Sequence, residues 1–225
     1  MDPEVLLQAP LFQGLEGEAA SALAAAMLTI TLNKGAVLFR EGDVGDQLYV
    51  VVEGKIKLSR SGSAGRENLL AVLGPGQMFG ELSLFDPGPR SSTASAVTRS
   101  EIRSLDHEEL GRWLTGRPEV ARGLLAQLAG RLRKTNDVVA DLVFSDVPGR
   151  VAKALLDLAS RFGEATDEGL HVHHDLTQEE LAQLVGASRE TVNKALADFA
   201  SRGWIRLEPR SVTLIDVERV ERRAR

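Results

Sequence analysis

The hydrophobic pattern changes twice along the chain, from helical spacing to strand alternation and then back to helical spacing. Alanine-rich apolar spacing predicts helices over Pro3–Leu28, with interruptions at Pro10 and Gly14. From Thr29 to about Arg103, apolar and polar residues alternate, and Gly- or Pro-containing turns come about every 8–12 residues. Short strands with this regular punctuation predict a small antiparallel roll, jelly-roll-like, or a small barrel.

Helical spacing returns after Asp106 and is longest over Pro118–Phe144. The apolar positions of this segment repeat at spacings of 3 and 4, which is typical of two helices that pair along a seam. The seam residues are Leu125, Leu128, Leu132, Thr135, Val139 and Leu142. We expect the seam to form a homodimer with a second copy of the chain. The alternative is that it packs against its own domain.

A helix boundary follows the long segment and marks the start of another domain. Asp146 suits a helix N-cap, and Pro148 suits the first turn of the next helix. The pattern then predicts a helix over Arg150–Phe162, a loop over Gly163–Gly169 and a short strand over Leu170–Val172.

The remainder of the chain has the pattern of a winged helix-turn-helix. Thr177 and Glu180 have the spacing of a capping box at the start of a short helix. A tight turn at Gly186–Ser188 leads into a second helix, Arg189–Ser201, which Ser188 caps. A two-stranded wing is predicted from Trp204–Leu207 and Ser211–Ile215.

These elements predict an α+β protein with three segments. Residues 1–116 form the β-roll domain, residues 117–145 the long dimerisation helix, and residues 146–225 the winged helix-turn-helix domain.

Composition narrows the possible classes of protein. The chain has 225 residues, 43% hydrophobic and 26% charged, which is an ordinary globular mixture. It has no cysteine, which excludes disulfides, thiol catalysis and iron–sulfur ligation by Cys. No apolar run approaches the ~18 residues of a membrane span, and the acidic start is unlike a signal peptide. We therefore expect a soluble, cytoplasmic protein without membrane contacts.

Charge is distributed unevenly along the chain. The net charge is −5, yet residues 188–225 contain nine basic and six acidic side chains. This part carries +3 and the remainder −8, so a basic face for nucleic acid is possible on an acidic protein. A solvated charged tail is the alternative.

One segment of the predicted roll, Phe79–Ser92, has the residues of a sugar-phosphate site. Gly80 precedes a short helical turn whose backbone N–H groups suit an anion, and Arg90 can pair with a phosphate. Glu81 would repel a phosphate, but it can accept a hydrogen bond from a ribose hydroxyl. The segment therefore predicts a sugar-phosphate pocket; a surface turn with a chance Glu–Arg pair is the alternative.

Several segments together resemble one known family. Phe79–Ser92 resembles the phosphate-binding cassette of cyclic-nucleotide-binding domains. Lys34–Asp43, followed by Gly45–Tyr49 and Gly54, resembles the glycine-punctuated entrance to the same domain. Leu176–Val192 resembles the helix-turn-helix of the CRP/FNR family. The runs Asp146–Lys153 and Phe85–Arg90 are most similar to cyclic-AMP receptor proteins of high-GC Gram-positive bacteria.

The resemblance implies bound cyclic AMP as an allosteric effector. The phosphate would lie on Arg90, Ser91 and the backbone around Ser83, and the ribose on Gly80 and Glu81. Two polar residues of the dimer helix would read the adenine, one from each subunit. The implied ligand-binding residues are Gly80, Glu81, Leu82, Ser83, Arg90, Ser91, Thr135 and Asn136. Thr135 is also the one polar seam residue, so fixing the seam register is its alternative role.

The resemblance also implies a double-stranded DNA partner. Arg189 suits guanine and Glu190 suits cytosine N4, although Glu190 is alternatively a helix-dipole carboxylate. The implied DNA-binding residues are Thr177, Ser188, Arg189, Glu190, Thr191 and Lys194. By resemblance the operator is a palindrome close to TGTGA–N6–TCACA, and RNA polymerase is a further partner.

Other chemistries find little support. No nucleophile–base pair or other catalytic constellation is present, so we expect a regulator rather than an enzyme. His107 is the single histidine before the winged domain, which leaves haem without axial ligands in the roll. We interpret His171, His173 and His174 as polar positions of an exposed strand and expect no metal.

Overall fold

A computed structural model describes residues 3–12, 14–15, 17–62, 67–86, 88–115 and 117–225. The chain forms two compact units. One comprises Met1–Ser61 and Ala71–Lys134, and the other comprises Gly62–Leu70 and Thr135–Arg225.

The N-terminal helical segment is interrupted where the sequence predicts. Helix α1 (Pro3–Leu7) is followed by a 3-10 turn at Pro10–Phe12 and by helix α2 (Gly17–Ala26). Gly14 has φ of +82°, a left-handed conformation that glycine adopts readily. Leu11, Phe12 and Leu23 are buried and anchor these helices.

Two four-stranded sheets form the predicted β-roll. The strands are β1 (Leu28–Leu32), β2 (Val37–Phe39), β3 (Gln47–Glu53), β4 (Ile56–Ser61), β5 (Glu67–Leu73), β6 (Met78–Phe79), β7 (Thr93–Ala96) and β8 (Ser100–Asp106). One sheet has the order β1-β8-β3-β6 and the other β2-β7-β4-β5. The short helix α3 (Leu82–Phe85) lies between β6 and β7.

Strand β3 separates two apolar cores because its side chains alternate between the faces of the sheet. Leu48 and Val50 join the core that includes the N-terminal helices. Tyr49 and Val51 face the other way, into the core between the two sheets. Burial on both faces is the reason that Leu48–Val51 is a continuous apolar run rather than an alternation of apolar and polar residues.

Two helices follow the roll. Helix α4 (His107–Leu114) is capped by Asp106, whose side chain accepts a hydrogen bond from Glu109 N. Helix α5 (Pro118–Phe144) is continuous over 27 residues. Its seam residues Leu125, Leu132 and Val139 are 66%, 64% and 56% exposed, so in the single chain they do not pack against their own domain.

The C-terminal part has the predicted helix-turn-helix. Its elements are α6 (Val147–Phe162), β9 (Gly163–Thr166), β10 (Gly169–His173), α7 (Gln178–Val185), α8 (Arg189–Ser201), β11 (Ile205–Glu208), β12 (Ser211–Leu214) and α9 (Val217–Ala224). Asp146 caps α6, the Thr177–Glu180 capping box opens α7, and Ser188 caps α8. Gly186, with φ of +69°, ends α7 and makes the tight turn possible.

One expectation for this part is wrong in detail. Residues Gly163–Thr166, predicted as loop, form a strand that pairs with β10. The two predicted wing strands pair with each other as expected, and β10 and β9 extend them to a four-stranded sheet of order β11-β12-β10-β9. Strand β9 is exposed, so its side chains do not alternate between apolar and polar residues. It is a strand because its backbone pairs with β10.

No helix in the described part of the chain is long and apolar enough to cross a membrane.

Candidate functional site

Arg90 is the buried cation of the predicted cassette, with a relative exposure of 4%. Its Nη1 donates to Gly80 O at 2.7 Å, and its Nη2 donates to Gln47 O at 2.8 Å. Its guanidinium carbon lies 4.4 Å from the centre of the Phe39 ring, a cation–π contact. Within the described residues Nε has no hydrogen-bond partner, which leaves one charged donor available.

Two glycines allow the backbone to approach this guanidinium closely. A Cβ added at Gly45 would lie 2.6 Å from both Arg90 Nε and Ser83 Oγ. Gly80 has φ of +81°, and a Cβ there would lie 2.9 Å from Arg90 Nη1. Larger side chains at either position would displace the charged group or the cassette.

Glu81 is the buried anion of the cassette and is fully inaccessible. Its Oε1 accepts a hydrogen bond from Arg131 Nη1 of α5 at 2.6 Å. Its Oε2 has no hydrogen-bond partner among the described residues. A buried carboxylate oxygen without a partner is costly, so this atom is an acceptor suited to a ligand hydroxyl.

Helix α5 supports this carboxylate through the adjacent strand. Arg131 Nη2 also donates to Met78 O, and Gln127 Nε2 donates to the same carbonyl at 3.1 Å. Met78 belongs to β6, directly before Gly80 and Glu81. The helix therefore fixes both the backbone and the side chain of the predicted ribose site.

The remaining cassette residues differ in exposure. Ser83 is buried, Leu82 is half-exposed, and Ser91 is exposed. The cassette thus combines a buried charged interior with a polar margin at Ser91.

An aromatic cluster lines the interior side of Arg90. The Tyr49 ring stacks on Phe79 at 5.2 Å between centroids and on Phe39 at 5.8 Å. Burial raises the pKa of the Tyr49 phenol, partly opposed by the positive charge of Arg90. The phenol therefore stays neutral at physiological pH. The three stacked rings form an apolar wall beside Arg90.

Sequence reasoning identified the central residues of this site and missed its supports. Arg131, Gln127, Gly45, Gln47 and Tyr49 were not predicted to act there. Gly45 belongs to the glycine-punctuated segment before β3, which was the available signal for it. Arg131 and Gln127 carry no local signal, because their contacts lie about 50 residues away in sequence.

Thr135 and Asn136 lie on α5 and are exposed. They are neighbours in the last half of the helix, one turn beyond Arg131. Among the described residues of the single chain, no hydrogen bond engages either side chain.

The second helix of the helix-turn-helix, α8, presents its first turn to solvent. Ser188 Oγ accepts from Thr191 N at 3.2 Å and lies 2.8 Å from Thr191 Oγ1. Glu190 and Lys194 form an exposed i,i+4 ion pair at 2.8 Å. The six predicted DNA-binding residues, Thr177, Ser188, Arg189, Glu190, Thr191 and Lys194, are all exposed.

A polar contact fixes α8 against α7. Asn193 Nδ2 donates to Gln178 Oε1 at 3.1 Å, and the apolar residues Leu181, Val192 and Leu196 are buried. The apolar face of α8 is thus buried, and its polar face is exposed. A helix that presents side chains to a DNA groove has this arrangement.

The start of α6 carries a helix cap and an ion pair. Asp146 caps the helix by accepting from Gly149 N at 2.9 Å, and it also binds Arg223 Nη2 at 2.6 Å and 2.7 Å. Hydrogen bonds from Arg223 and then from Gly149 N lower the pKa of the Asp146 carboxyl. Arg150 donates to the carbonyls of Ser145 and Val185, which links the end of α5 to the end of α7.

One interpretation of the histidines is wrong. His174 is buried, at 7% exposure, and its Nδ1 accepts from Leu176 N at 3.1 Å, so it is not a position of an exposed strand. It lies after β10, where the chain turns inward toward α7. His171 and His173 are on β10 and reach solvent. The described residues contain no group of three or more His, Asp or Glu that could hold a metal.

Two family models match the chain. Residues 29–116 match the cyclic nucleotide-binding domain, and residues 149–223 match the Crp-like helix-turn-helix domain. A nucleotide-sensing β-roll, a long helix and a helix-turn-helix define the class of protein: a DNA-binding transcription regulator with a cyclic nucleotide-binding domain.

Individual relatives are similar to this chain over nearly its whole length. The chain is 56% identical to the "CRP-like cAMP-activated global transcriptional regulator" of Mycobacterium tuberculosis, over 99% of each chain. It is 38% identical to the "Cyclic AMP receptor protein" of Thermus thermophilus, over 94% of this chain and 95% of the relative. The crystal structure of the Thermus thermophilus catabolite activator protein superposes with a TM-score of 0.57 at 37% identity, covering 96% and 98% of the two chains.

The chain therefore belongs to the CRP/FNR family of transcription regulators. The predicted fold and family are confirmed. These relatives are transcription regulators and not enzymes, which also agrees with the prediction.

Proposed function

We propose that this protein is a cyclic-AMP-responsive regulator that binds a palindromic operator as a homodimer. One observation carries the ligand part of the proposal. Two buried, oppositely charged groups, Glu81 and Arg90, each keep one polar atom without a hydrogen-bond partner among the described residues. A carboxylate acceptor beside a guanidinium donor suits a sugar hydroxyl next to a phosphate.

The assignment of ligand groups follows from these atoms and from the family resemblance. The cyclic phosphate lies on Arg90, Ser91 and the backbone at Ser83, and the ribose hydroxyl donates to Glu81. Gly80 and Leu82 complete the cassette. Thr135 and, from the second subunit, Asn136 bind the adenine.

The DNA part rests on the exposed first turn of α8. Arg189 is bidentate to guanine O6 and N7, Glu190 accepts from cytosine N4, and Lys194 supplies a point charge. Thr177, Ser188 and Thr191 donate hydrogen bonds to phosphates. In a homodimer the two helices meet half-sites one helical turn, about 34 Å, apart. This spacing fits a palindrome resembling TGTGA–N6–TCACA.

The homodimer rests on the exposed apolar seam of α5. We divide the protein into a nucleotide-binding domain at residues 1–116, a dimerisation helix at 117–145 and a DNA-binding domain at 146–225. RNA polymerase is the further partner through which such a regulator acts, and the cytoplasm is the compartment in which it meets both.

The response to ligand is a shift between two populations of the dimer. Cyclic AMP stabilises the population in which both recognition helices fit the operator. The ligand moves this equilibrium only by the difference of its affinities for the two populations.

A second candidate is a regulator of the same fold with weak, different or no nucleotide dependence. The observation in its favour is that both terminal nitrogens of Arg90 are already bonded to Gly80 O and Gln47 O. In that case the guanidinium is a structural brace of the cassette.

Operator binding at fixed salt separates the two candidates. The full chain is titrated against a palindromic duplex and a scrambled duplex, each with and without cyclic AMP. Salt is fixed because phosphate contacts make DNA affinity strongly salt-dependent. We expect cyclic AMP to tighten binding to the palindrome alone. Specific binding that ignores cyclic AMP would favour the second candidate.

A further inference from the structure

His171 and His173 form a pair of imidazoles on one face of β10. They are two residues apart, so strand geometry places both side chains on the same side of the sheet. Their Nε2 atoms lie 3.1 Å apart, and the rings are inclined at 77°. The two Nε2 atoms are therefore within hydrogen-bonding distance of each other on one face of the strand.

The neighbouring strand β12 holds the first of these rings in place. His171 Nδ1 lies 2.8 Å from Thr213 Oγ1, and Thr213 is 1% exposed. When Nδ1–H donates to this hydroxyl, His171 Nε2 is the acceptor of the hydrogen bond from Nε2–H of His173, and an ion bound to both Nε2 atoms requires His173 to carry its proton on Nδ1 instead. Metal-binding histidines are usually oriented by such a bond at the other ring nitrogen.

The charges around the pair are predominantly negative. Glu164 of β9 is directly opposite His171 in the strand register. Arg206 of β11 is the register partner of Thr213, but it is paired with both Glu168 and Glu208. Two of these carboxylates already neutralise Arg206, so it is Glu164, opposite His171, that favours a cation over an anion on this face.

We propose that His171 and His173 bind a divalent first-row transition-metal ion through their Nε2 atoms, with Cu²⁺ bound most tightly. For metal–nitrogen bonds of about 2.0–2.1 Å, the observed separation gives an N–metal–N angle of roughly 95–100°. Such an angle fits two neighbouring positions of a tetragonal Cu²⁺ or Ni²⁺ centre better than it fits a tetrahedral one. Water is available for the other positions.

His174 takes no part in this site. Its Nδ1 already accepts from Leu176 N, and its side chain is buried. The site thus has two protein ligands rather than three. Its affinity for divalent ions should follow the usual order for nitrogen ligands, in which Cu²⁺ binds more tightly than Ni²⁺.

Electron paramagnetic resonance with Cu²⁺ alone tests the proposal on the full chain. We expect saturable binding of one ion per chain, with hyperfine structure from two imidazole nitrogens. His171→Gln and His173→Gln each should leave one imidazole nitrogen and weaken Cu²⁺ binding at least tenfold. His107→Gln is the matched control, since His107 is exposed on α4 in the other unit, and it should change neither quantity.

Other results would overturn the proposal. If His171→Gln and His173→Gln bind Cu²⁺ like the unaltered chain, the ion is held elsewhere. If the unaltered chain shows a single nitrogen ligand or no saturation, the pair is only a hydrogen bond. Circular dichroism of each variant confirms that the sheet is intact, so loss of binding reports on the ligands.

Discussion

At the scale of single residues, the cassette shows which contacts a sequence reveals. Glu81 and Arg90 were identifiable because they lie within one short segment, and their residue types suit a sugar and a phosphate. Arg131 was not, because it acts from another element about 50 residues away. Its position on α5 lies beside the seam rather than on it, so the heptad pattern gave no signal either.

Arg90→Ala should abolish the response to cyclic AMP, because it removes the only buried cation that the proposal assigns to the phosphate. Isothermal titration with cyclic AMP measures the loss directly. Arg112→Ala, at an exposed position of α4, is the control and should bind normally. Arg90→Lys keeps the charge but loses the planar fork, so it should bind more weakly than the unaltered chain. Unchanged affinity in the folded Arg90→Ala variant would contradict the assignment.

Glu190→Ala should relax base preference at one position of each half-site, at a cost of ~1–3 kcal/mol for the preferred base. The physical reason is that a carboxylate at the start of α8 can accept from cytosine N4. Competition binding with a set of singly substituted operators measures the preference.

Asp198→Ala, at the other end of the same helix, should leave the preference intact. An operator profile for Glu190→Ala identical to that of the unaltered chain would indicate that Glu190 only interacts with the helix dipole and with Lys194.

At the scale of elements, the sequence predicted the helix caps correctly, but it did not reveal contacts between residues that are far apart in sequence. Asp146, Thr177 and Ser188 all cap the helices that the sequence predicts, because a cap acts within three residues. Strand β9 was missed because its exposed residues carry no alternation. Arg223 was missed because its partner Asp146 is 77 residues away.

Arg223→Ala should raise the pKa of the Asp146 carboxyl and weaken the start of α6. In the folded protein this pKa lies below its ordinary value of 3.8, chiefly because of Arg223. A lowered carboxyl pKa contributes stability at neutral pH that is lost as the pH falls toward the folded-state value. The variant should therefore lose part of this acid-dependent stability.

Carboxyl NMR titration of Asp146 measures the pKa in both proteins. Arg222→Ala is the control, since Arg222 pairs with Glu218 on its own helix. If the Asp146 pKa is equal in the Arg223→Ala variant and the unaltered chain, the ion pair does not form in solution.

At the scale of the whole molecule, the exposed seam is the feature that a single chain leaves unexplained. Leu125, Leu132, Val139 and Leu142 are each more than half exposed along one helix. Contiguous apolar exposure of this kind usually marks an interaction surface. The spacing was readable from the sequence, but the partner that covers the seam was not.

Leu132→Glu should dissociate the proposed homodimer, because it buries a carboxylate in an apolar seam and opposes it to its own symmetry mate. Analytical ultracentrifugation measures the molar mass. Arg133→Glu introduces the same side chain about 100° around α5 from Leu132, off the seam, and should leave the dimer intact. A monomeric unaltered chain, or a dimeric Leu132→Glu variant, would contradict the role of the seam.

The cluster of buried Glu81, buried Arg90 and half-buried Arg131 has a consequence for selectivity that depends on counting charge. One carboxylate and two guanidinium groups give these three side chains a single excess positive charge. A cyclic phosphodiester would bring one negative charge and make the cluster neutral. Adenosine would leave the excess uncompensated, and the opened 5′-monophosphate, near −2 at neutral pH, would overshoot it. Since uncompensated charge is costly away from water, we expect the site to distinguish the proposed messenger from both its precursor nucleoside and its hydrolysis product.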